Sequence, residues 1–290
     1  MLNGGNKRVF ATGSIGFIGT HVVKLLNERG YVVRGYDRLN GDDILDYGML
    51  ESAVRNFKPE AIVHLAAQVF LTPSLEKPQE DALTNIIGTI NVLEAARRNP
   101  CRVIFSSSGA VYGSNDRSHV NETHDPEPMS PYGVSKLSAE RYCLLYNSLY
   151  EIPVVVFRFS SVYGIGRKKT SINLIIDKAT KDEEITITGD GSQTRDFTHV
   201  SDVAEAVWMA VEGKFLSGTY NIGTGTSTSL NHLVTILEEK LNKRLKVKYI
   251  PKQKGDPLKN DFNVSKAEQY GFKAKITLRE GIEPLIHSKP

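Results

Sequence analysis

Short apolar runs alternate with helix-like stretches along the first half of the chain, and no other feature constrains the fold as strongly. The runs are Arg8–Thr12, Val32–Tyr36, Ala61–Leu65, Arg102–Ser106 and Pro153–Phe157. Helical periodicity separates them, with the longer stretches near 79–98 and 131–150. Strands joined by helices form βαβ units, in which a parallel sheet is covered on both faces. We therefore predict an α/β fold with a doubly wound parallel sheet of the Rossmann type.

The pattern changes after about residue 165. Helical stretches continue near residues 171–182, 201–212 and 229–241, joined by short strands and glycine-rich turns. We interpret this part as a smaller C-terminal α/β lobe. The predicted domains are residues 1–165 and 166–290, and the chain is free to cross between the two lobes.

Length and composition exclude several other classes of protein. A chain of 290 residues can bury a large core without disulfides or metal ions, and Cys101 and Cys143 are too few for a disulfide framework. No stretch approaches the ~20 consecutive apolar residues that cross a bilayer. The net charge of +3 is too small to indicate a nucleic-acid-binding surface. We expect a cytoplasmic protein with two buried thiols, no metal site, and neither a nucleic-acid nor a membrane partner.

Three glycines follow the first apolar run, in the segment Thr12-Gly-Ser-Ile-Gly-Phe-Ile-Gly19. In a dinucleotide site the first glycine forms a tight turn, the second lets the backbone approach a pyrophosphate, and the third lets the helix pack closely. The N–H groups at the start of the helix then face the phosphates. The glycines alone are also compatible with a plain turn. The order of strand, glycines and helix favours the dinucleotide site.

Asp37 follows the second apolar run, where a carboxylate binds an adenosine ribose and repels a 2′-phosphate. This position favours NAD over NADP. Two observations point the other way: Arg38 can bind a 2′-phosphate, and Asp37 can simply cap a turn.

The segment Tyr132-Gly-Val-Ser-Lys136 places a tyrosine and a lysine four residues apart, on one face of a helix. A nearby ammonium favours the phenolate, so Tyr132 can act as a general base. Ser108 belongs to Ser106-Ser-Ser-Gly-Ala-Val-Tyr-Gly113, directly after the fourth apolar run, where ligands of parallel sheets bind. We expect Ser108 to donate a hydrogen bond to a reacting oxygen. Without Tyr132 and Lys136, this segment would be interpreted as a serine-rich turn.

With three further motifs, the chain resembles an extended short-chain dehydrogenase/reductase of the nucleotide-sugar epimerase/dehydratase family. These motifs are His64-Leu-Ala-Ala-Gln68, Gly189-Asp-Gly-Ser-Gln-Thr-Arg-Asp-Phe197 and His199-Val-Ser-Asp-Val203. The resemblance extends over nearly the whole chain. It implies NAD as the cofactor and a nucleotide sugar, with UDP-hexose expected, as the substrate, which the C-terminal lobe would bind.

The resemblance also implies roles for individual residues. Those implied for the cofactor are Gly13, Gly16, Phe17, Ile18, Gly19, Asp37, Arg38, Asp43, Ile44, Leu65, Ala66, Ala67, Asn85, Ser106, Tyr132 and Lys136. Those implied for the substrate are Ser108, Tyr132, Ser161, Asn173 and Arg195. Tyr132, Lys136 and Ser108 would carry the chemistry.

Arg195 would contact the diphosphate of the substrate, because a guanidinium suits that group. Its alternative is a surface ion pair with Asp190 or Asp196. Ser161 occupies a position where relatives usually have asparagine, which is a departure from the family pattern. We leave the nucleotide and the sugar, hexose or N-acetylhexosamine, open.

The residues after Ser108 narrow the reaction. Dehydratases of the family carry an Asp-Glu pair there and decarboxylating relatives a glutamate, whereas this chain has Gly109-Ala110. We therefore predict an NAD-dependent 4-epimerase of the UDP-glucose/UDP-galactose type that oxidises the sugar transiently at C4. The alternatives are a 4-keto-sugar reductase that consumes NADH or NADPH, another NAD(P)-dependent nucleotide-sugar modifying enzyme of the family, and a nucleotide-sensing or scaffold protein without chemistry. The resemblance further implies a homodimer formed through the helices near 79–98 and 131–150.

Overall fold

The apolar runs form a six-stranded sheet in this computed structural model. The residues that the structure describes are 7–113, 119–166, 171–251, 258–259 and 261–287. In sheet order, the strands are β2 (Val32–Tyr36), β1 (Arg8–Thr12), β3 (Ala61–His64), β4 (Arg102–Ser108), β5 (Val154–Phe159) and β9 (Gly218–Ile222). The pairs β1–β2, β1–β3 and β3–β4 are parallel. The predicted doubly wound α/β fold is confirmed.

The strand order creates a switch point between β1 and β3. The chain leaves β1 towards β2 on one side and later returns to β3 on the other. In such sheets the crevice beyond the carboxyl ends of the two central strands is the usual ligand site. The glycines after β1 and the His64–Gln68 motif at the end of β3 both reach this crevice.

The helices cover the sheet and continue into the C-terminal region. They are α1 (Phe17–Glu28), α2 (Tyr47–Phe57), α3 (Leu71–Glu76), α4 (Pro78–Ala82), α5 (Gly88–Arg98), α6 (Pro131–Tyr150), α7 (Ser171–Thr180), α8 (Val200–Val211), α9 (Leu230–Leu241), α10 (Ser265–Glu268) and α11 (Leu278–His287). In the part of the chain that the structure describes, no helix is both long and apolar enough to span a bilayer.

The region near 79–98 differs from the single long helix that the periodicity predicts. A π-helical turn over Leu83–Ile87 separates α4 from α5. By contrast, α6 begins and ends where predicted. Ser130 caps it by accepting a hydrogen bond from the Gly133 N–H at 3.1 Å, and Pro131 occupies the first turn.

The chain divides into two compact units, each assembled from three segments. The first contains Met1–Val111, Pro128–Arg158 and Ala204–Tyr220, and the second contains Tyr112–Glu127, Phe159–Val203 and Asn221–Pro290. These units describe how the chain packs, which is a different property from the predicted division into functional domains at residue 165. That division stays a prediction.

Each unit has its own hydrophobic core. In the first, side chains from the strands pack against α2, α5 and α6, and the core includes Phe10, Leu50, Ile62 and Val156. Cys101 and Cys143 belong to it as buried free thiols, as expected.

The second unit contains two smaller sheets. Their orders are β10 (Ser227–Ser229), β8 (Thr194–His199), β6 (Ser161–Tyr163) and, separately, β11 (Val247–Ile250), β7 (Ile185–Thr188). Side chains of α7, α9 and α11 form its core with Phe197 of β8.

A buried ion pair attaches α6 to the sheet. The guanidinium of Arg158 on β5 donates to both carboxylate oxygens of Glu140, with Nε 3.0 Å from Oε2. The Ser107 hydroxyl on β4 donates to the same Oε2 at 3.0 Å. Both charged side chains are at least 96% buried. Each charge therefore depends on the other for compensation, and the pair sets the register of α6 on β4 and β5.

Removing one charge of this pair should destabilise the protein strongly. In Glu140→Gln the side-chain shape is retained, but the Arg158 guanidinium stays buried without an anion. We expect a loss of about 3–5 kcal/mol in the free energy of unfolding, measured by urea denaturation. Glu239→Gln is the control, because the Arg279–Glu239 pair is exposed and should lose little. Equal losses in the two variants would contradict the importance of the buried pair.

Candidate active site

The glycine turn after β1 has no room for side chains at two of its three glycines. Gly13 has a φ of +67°, and a Cβ there would lie 2.6 Å from the Ala66 backbone nitrogen. A Cβ on Gly19 would lie 2.1 Å from the Gly13 carbonyl oxygen. The turn therefore packs directly against the loop after β3 and against the first turn of α1.

Helix α1 begins at this turn without a side-chain cap. Gly16 is the capping residue and has no side chain to accept from the first N–H groups, which include those of Phe17, Ile18 and Gly19. A helix start leaves its first N–H groups without partners inside the helix, and an anion can bind there. The glycines and the uncapped helix start thus fit the pyrophosphate of a dinucleotide.

Asp37 connects the end of β2 to the glycine turn. Its Oδ2 accepts from the Ile15 N–H at 3.0 Å, and its Oδ1 accepts from the Leu39 N–H at 3.0 Å. The second bond caps the 3₁₀ turn Arg38–Asn40, which is the alternative role considered for Asp37. The carboxylate is held at the turn, and an additional ribose contact is compatible with this position.

Arg38, which follows Asp37, forms an ion pair within its own segment. The Arg38 Nε lies 3.4 Å from the Asp43 Oδ2, so a 2′-phosphate would compete with this carboxylate. Ile44 is buried and packs on α5, where a Cβ on Gly88 would lie 2.4 Å from the Ile44 Cδ1. The arrangement favours a ligand without a 2′-phosphate.

Tyr132 and Lys136 lie one turn apart on α6, as predicted. Lys136 is buried, its Nζ donates to the Ser106 carbonyl at 2.7 Å, and the ammonium lies 4.9 Å from the centre of the Phe105 ring. Burial lowers the pKa of Lys136 to about 8. Ser108 ends β4, and its Oγ accepts from the Ala110 N–H at 3.2 Å. The hydroxyl hydrogen of Ser108 is thus left available for donation to a ligand.

Asn85 joins the loop after β3 to α6. Its Oδ1 accepts from the Gln68 N–H at 2.9 Å, while its Nδ2 donates to the Gln68 carbonyl at 3.1 Å and to the Ser135 Oγ at 3.0 Å. Asn85 lies in the π-helical turn Leu83–Ile87, and such turns occur frequently at functional sites. The amide holds Gln68 in place beside the residue that precedes Lys136.

A buried histidine connects the same region to β1. The Thr12 Oγ1 lies 2.7 Å from the His64 Nδ1, and the Thr89 Oγ1 lies 3.0 Å from the His64 Nε2. Thr12 also accepts from the Ala66 N–H at 3.3 Å, in the loop Leu65–Ala67. Burial, with a smaller contribution from Lys136, lowers the pKa of His64 to about 3. His64 is therefore neutral and serves to hold this loop against β1.

The predicted substrate residues of the second unit lie on three elements. Ser161 begins β6 and pairs with Phe197, whereas Asn173 on α7 donates to the Gly164 carbonyl at 3.2 Å. On β8, the Arg195 Nη1 donates to the Thr194 carbonyl at 2.7 Å. The roles of these residues towards a substrate stay predictions.

Asp196 next to Arg195 has a structural role. It is fully buried and accepts hydrogen bonds from the Thr224 N–H and hydroxyl and from the Gly225 N–H, at 2.8–3.0 Å. These bonds hold the loop between β9 and β10 against β8.

Several residues of the first unit that hold this site were not predicted from the sequence. Glu140 lies four residues after Lys136, and Arg158 interrupts an apolar strand, so their pairing had a signal in the sequence. Asp81 and the side chain of Gln68 had no such signal, because acidic and amide residues on helices and loops are usually solvated.

Comparisons with known proteins give a family and relatives for this chain. Residues 9–223 match the family model described as the NAD dependent epimerase/dehydratase family. A protein from Methanocaldococcus jannaschii named as a putative UDP-glucose 4-epimerase is 38% identical, over 96% of this chain and 97% of its own length.

Solved structures give the same result for the fold. The UDP-glucose 4-epimerase of Thermotoga maritima, solved with UDP-glucose, has a TM-score of 0.91 and 34% identity, over 96% of this chain and 97% of that one. The UDP-glucuronic acid 4-epimerase of Bacillus cereus, solved with UDP-glucuronic acid and NAD, has a TM-score of 0.89 and 29% identity, over 96% of this chain and 98% of that one.

The glycine turn gives a direct test of the dinucleotide site. We expect Gly19→Ala to weaken NAD binding roughly tenfold or more, since the added Cβ must displace a close-packed backbone. The measurement is isothermal titration calorimetry with NAD⁺ on protein freed of cofactor. Gly48→Ala is a matched control in α2, where the nearest atom to a Cβ is 3.6 Å away. Unchanged affinity in Gly19→Ala would show that the turn does not bind the dinucleotide.

Proposed function

The chain belongs to the NAD-dependent epimerase/dehydratase family, and we propose that it is a UDP-hexose 4-epimerase acting on UDP-glucose and UDP-galactose. Its predicted family and NAD dependence are confirmed. The observation that carries the finer proposal is the set of Tyr132, Lys136 and Ser108 at the end of β4, followed by Gly109-Ala110 without a carboxylate. Dehydration requires a further acid and base, which this segment lacks.

The geometry of the first unit supports the proposed cofactor roles. Gly13, Gly16 and the N–H groups at the start of α1 would hold the pyrophosphate, and Asp37 the adenosine ribose. When bound, NAD would supply an acceptor for the hydride of the sugar C4, and its reduced form the donor for the return.

The protein groups move the proton. Tyr132 as phenolate accepts the proton of the sugar 4-hydroxyl and returns it to the same oxygen after the sugar has presented its other face. The Lys136 ammonium, one turn away, favours the phenolate, and the Ser108 hydroxyl donates to the sugar oxygen. Arg195, with Asn173 and Ser161, would bind the diphosphate, since a planar guanidinium matches phosphate oxygens.

The relatives support a uridine nucleotide and leave two sugars to compare. UDP-glucose appears in the names of proteins at 38% and 34% identity, and UDP-glucuronic acid in the names of structures at 34% and 29% identity. The relative at 38% identity is named for UDP-glucose, which supports the uncharged hexose.

The function is tested with purified protein and no added cofactor. UDP-glucose, UDP-galactose, their N-acetylamino counterparts and UDP-glucuronic acid are supplied separately, and the anomeric protons are followed by NMR. We expect the 4-epimer to form fastest from the uncharged hexoses. Tyr132→Phe should lower the rate by about 10²–10⁴-fold, because the general base is lost.

Tyr150→Phe is the matched control, since Tyr150 is exposed on the same helix and should leave the rate unchanged. A faster reaction of UDP-glucuronic acid would overturn the proposed sugar. Turnover only with 4-keto sugars and added NADH or NADPH would establish a reductase instead.

We also propose that the protein forms a homodimer through α6 and the adjacent π-helical turn. An exposed apolar stripe follows one face of α6 at helical spacing, and Leu83 and Ile87 of the π-helical turn are also exposed. The stripe consists of Val134, Tyr142, Leu145 and Leu149. Exposed apolar side chains grouped on one face of a helix are typical of a protein interface, and a second copy supplies the same face.

A charge placed in this stripe should dissociate the dimer. We expect Leu145→Arg to halve the mass measured by light scattering coupled to size-exclusion chromatography. Leu216→Arg is the control, since Leu216 is exposed outside the stripe. A wild-type monomer at micromolar concentration would refute the dimer.

A further inference from the structure

Asp81 on α4 is a buried carboxylate with incomplete hydrogen bonding. It is 1% exposed, and its Oδ1 accepts from the Gln68 Nε2 at 2.7 Å and from the Asn85 Nδ2 at 3.3 Å. Its Oδ2 is buried and makes no hydrogen bond to any residue that the structure describes. An isolated buried carboxylate is costly, so a nearby positive charge is needed to stabilise it.

The buried ammonium of Lys136 is this positive charge, and the other groups around Lys136 supply no uncompensated anion. From β3, His64 is neutral because burial lowers its pKa to about 3. On α6 itself, the buried Cys143 is a neutral thiol, since burial raises its pKa, and Glu140 is paired with Arg158. Asp81 lies on α4, which packs against α6, and its partner Asn85 donates to Ser135, the residue before Lys136. The Asp81 carboxylate partly offsets the lowering of the Lys136 pKa by burial. Among the described groups around Lys136, Asp81 is thus the anion that has no partner charge of its own.

We propose that Asp81 is a positioning residue that keeps Lys136 as an ammonium and, through Gln68 and Asn85, holds the loop after β3 beside α6. Lys136 and Asp81 form a buried pair of opposite charges without a direct hydrogen bond, because the Lys136 Nζ donates to the Ser106 carbonyl, the Asp81 Oδ1 accepts from amides and the Asp81 Oδ2 has no partner among the described residues. Asp81 on α4 and Asn85 in the π-helical turn lie four residues apart, and both bond to Gln68 of the loop after β3.

This role rests on the proposed function at one step. Burial opposes the charged form of Lys136, yet the reaction requires the ammonium to favour the Tyr132 phenolate. Asp81 offsets part of that cost. The coupling between the two charges, however, is a property of the folded protein and can be measured without substrate or cofactor.

A double-mutant cycle in urea denaturation measures the coupling. The variants are Asp81→Asn, Lys136→Met and the double variant, at pH 7. We expect Asp81→Asn to lower the folding equilibrium constant about tenfold or more when Lys136 is present. In the Lys136→Met background the same change should be neutral or stabilising, because the buried carboxylate then has no counter-charge. If Asp81→Asn alone fails to fold, folding of the double variant supports the pairing.

The pH dependence of stability gives a second measurement. The pKa of Lys136 is about 8 in the folded protein and 10.5 ordinarily, so the unfolded chain binds more protons between these values. Lys136 therefore makes the free energy of unfolding rise with pH from about 8 to 10.5. In Asp81→Asn this rise should begin at a lower pH. Glu80→Gln is the control, since Glu80 is the exposed neighbouring acid and should leave the onset unchanged.

Kinetics then test the catalytic consequence. We expect the alkaline limb of kcat/KM to move to lower pH in Asp81→Asn, with a roughly threefold to tenfold loss of rate at pH 9. Glu80→Gln should keep the wild-type profile. A structural role alone would lower the rate equally at every pH, and this result would overturn the proposal.

These experiments distinguish a failure of the Asp81–Lys136 pairing from a failure of the proposed function. Equal effects of Asp81→Asn with and without Lys136 would overturn the pairing, whether or not the protein epimerises sugars. Coupling in the cycle without turnover of any UDP-sugar would retain the pairing and refute the proposed function.

Discussion

Helix α6 is attached to the sheet by two buried charged side chains, one turn apart, and the geometry of the site depends on both. Lys136 donates to the Ser106 carbonyl of β4, and Glu140 binds Arg158 of β5. The hydroxyl of Ser107, the residue between Ser106 and Ser108 in β4, also donates to Glu140. Any shift of α6 along the sheet would break these bonds together. The distance from Tyr132 to the end of β4 is therefore set by contacts away from the reacting groups.

The glycine turn imposes a second constraint, which is steric. Gly13 and Ala66 approach so closely that the turn after β1 and the loop after β3 form one rigid surface. The hydroxyl of Thr12 stabilises this contact, because it accepts from the Ala66 N–H and bonds to the neutral His64. A neutral histidine suits this position because a second cation close to Lys136 would raise the cost of burying both charges. The glycine turn and α6 thus share one polar network, which runs through Thr89 and Asn85.

The bounds of several strands and helices could be predicted from the sequence alone, because short-range patterns mark them. The strands β1 and β2 and the whole of α6 begin and end at the predicted residues, because apolar periodicity, Ser130 and Pro131 mark those boundaries. The π-helical turn was not predictable, since it depends on the contacts of Asn85 with a loop and a helix distant in sequence. Residue types and spacing also led to the glycine turn and to Tyr132 and Lys136, whereas the surroundings of Asp81 became visible only in the packed structure.

Charge balance explains why the buried polar residues occur together. A lysine ammonium in a sheet-to-helix interface needs an acceptor and a counter-charge, and these come from different elements. The carbonyl of Ser106 supplies the first and Asp81 the second. A carboxylate in direct contact would hold the ammonium more tightly and reduce its effect on Tyr132. With the anion on α4 and one of its oxygens bound to amides, the charge stays compensated while the ammonium donates to the Ser106 carbonyl of β4.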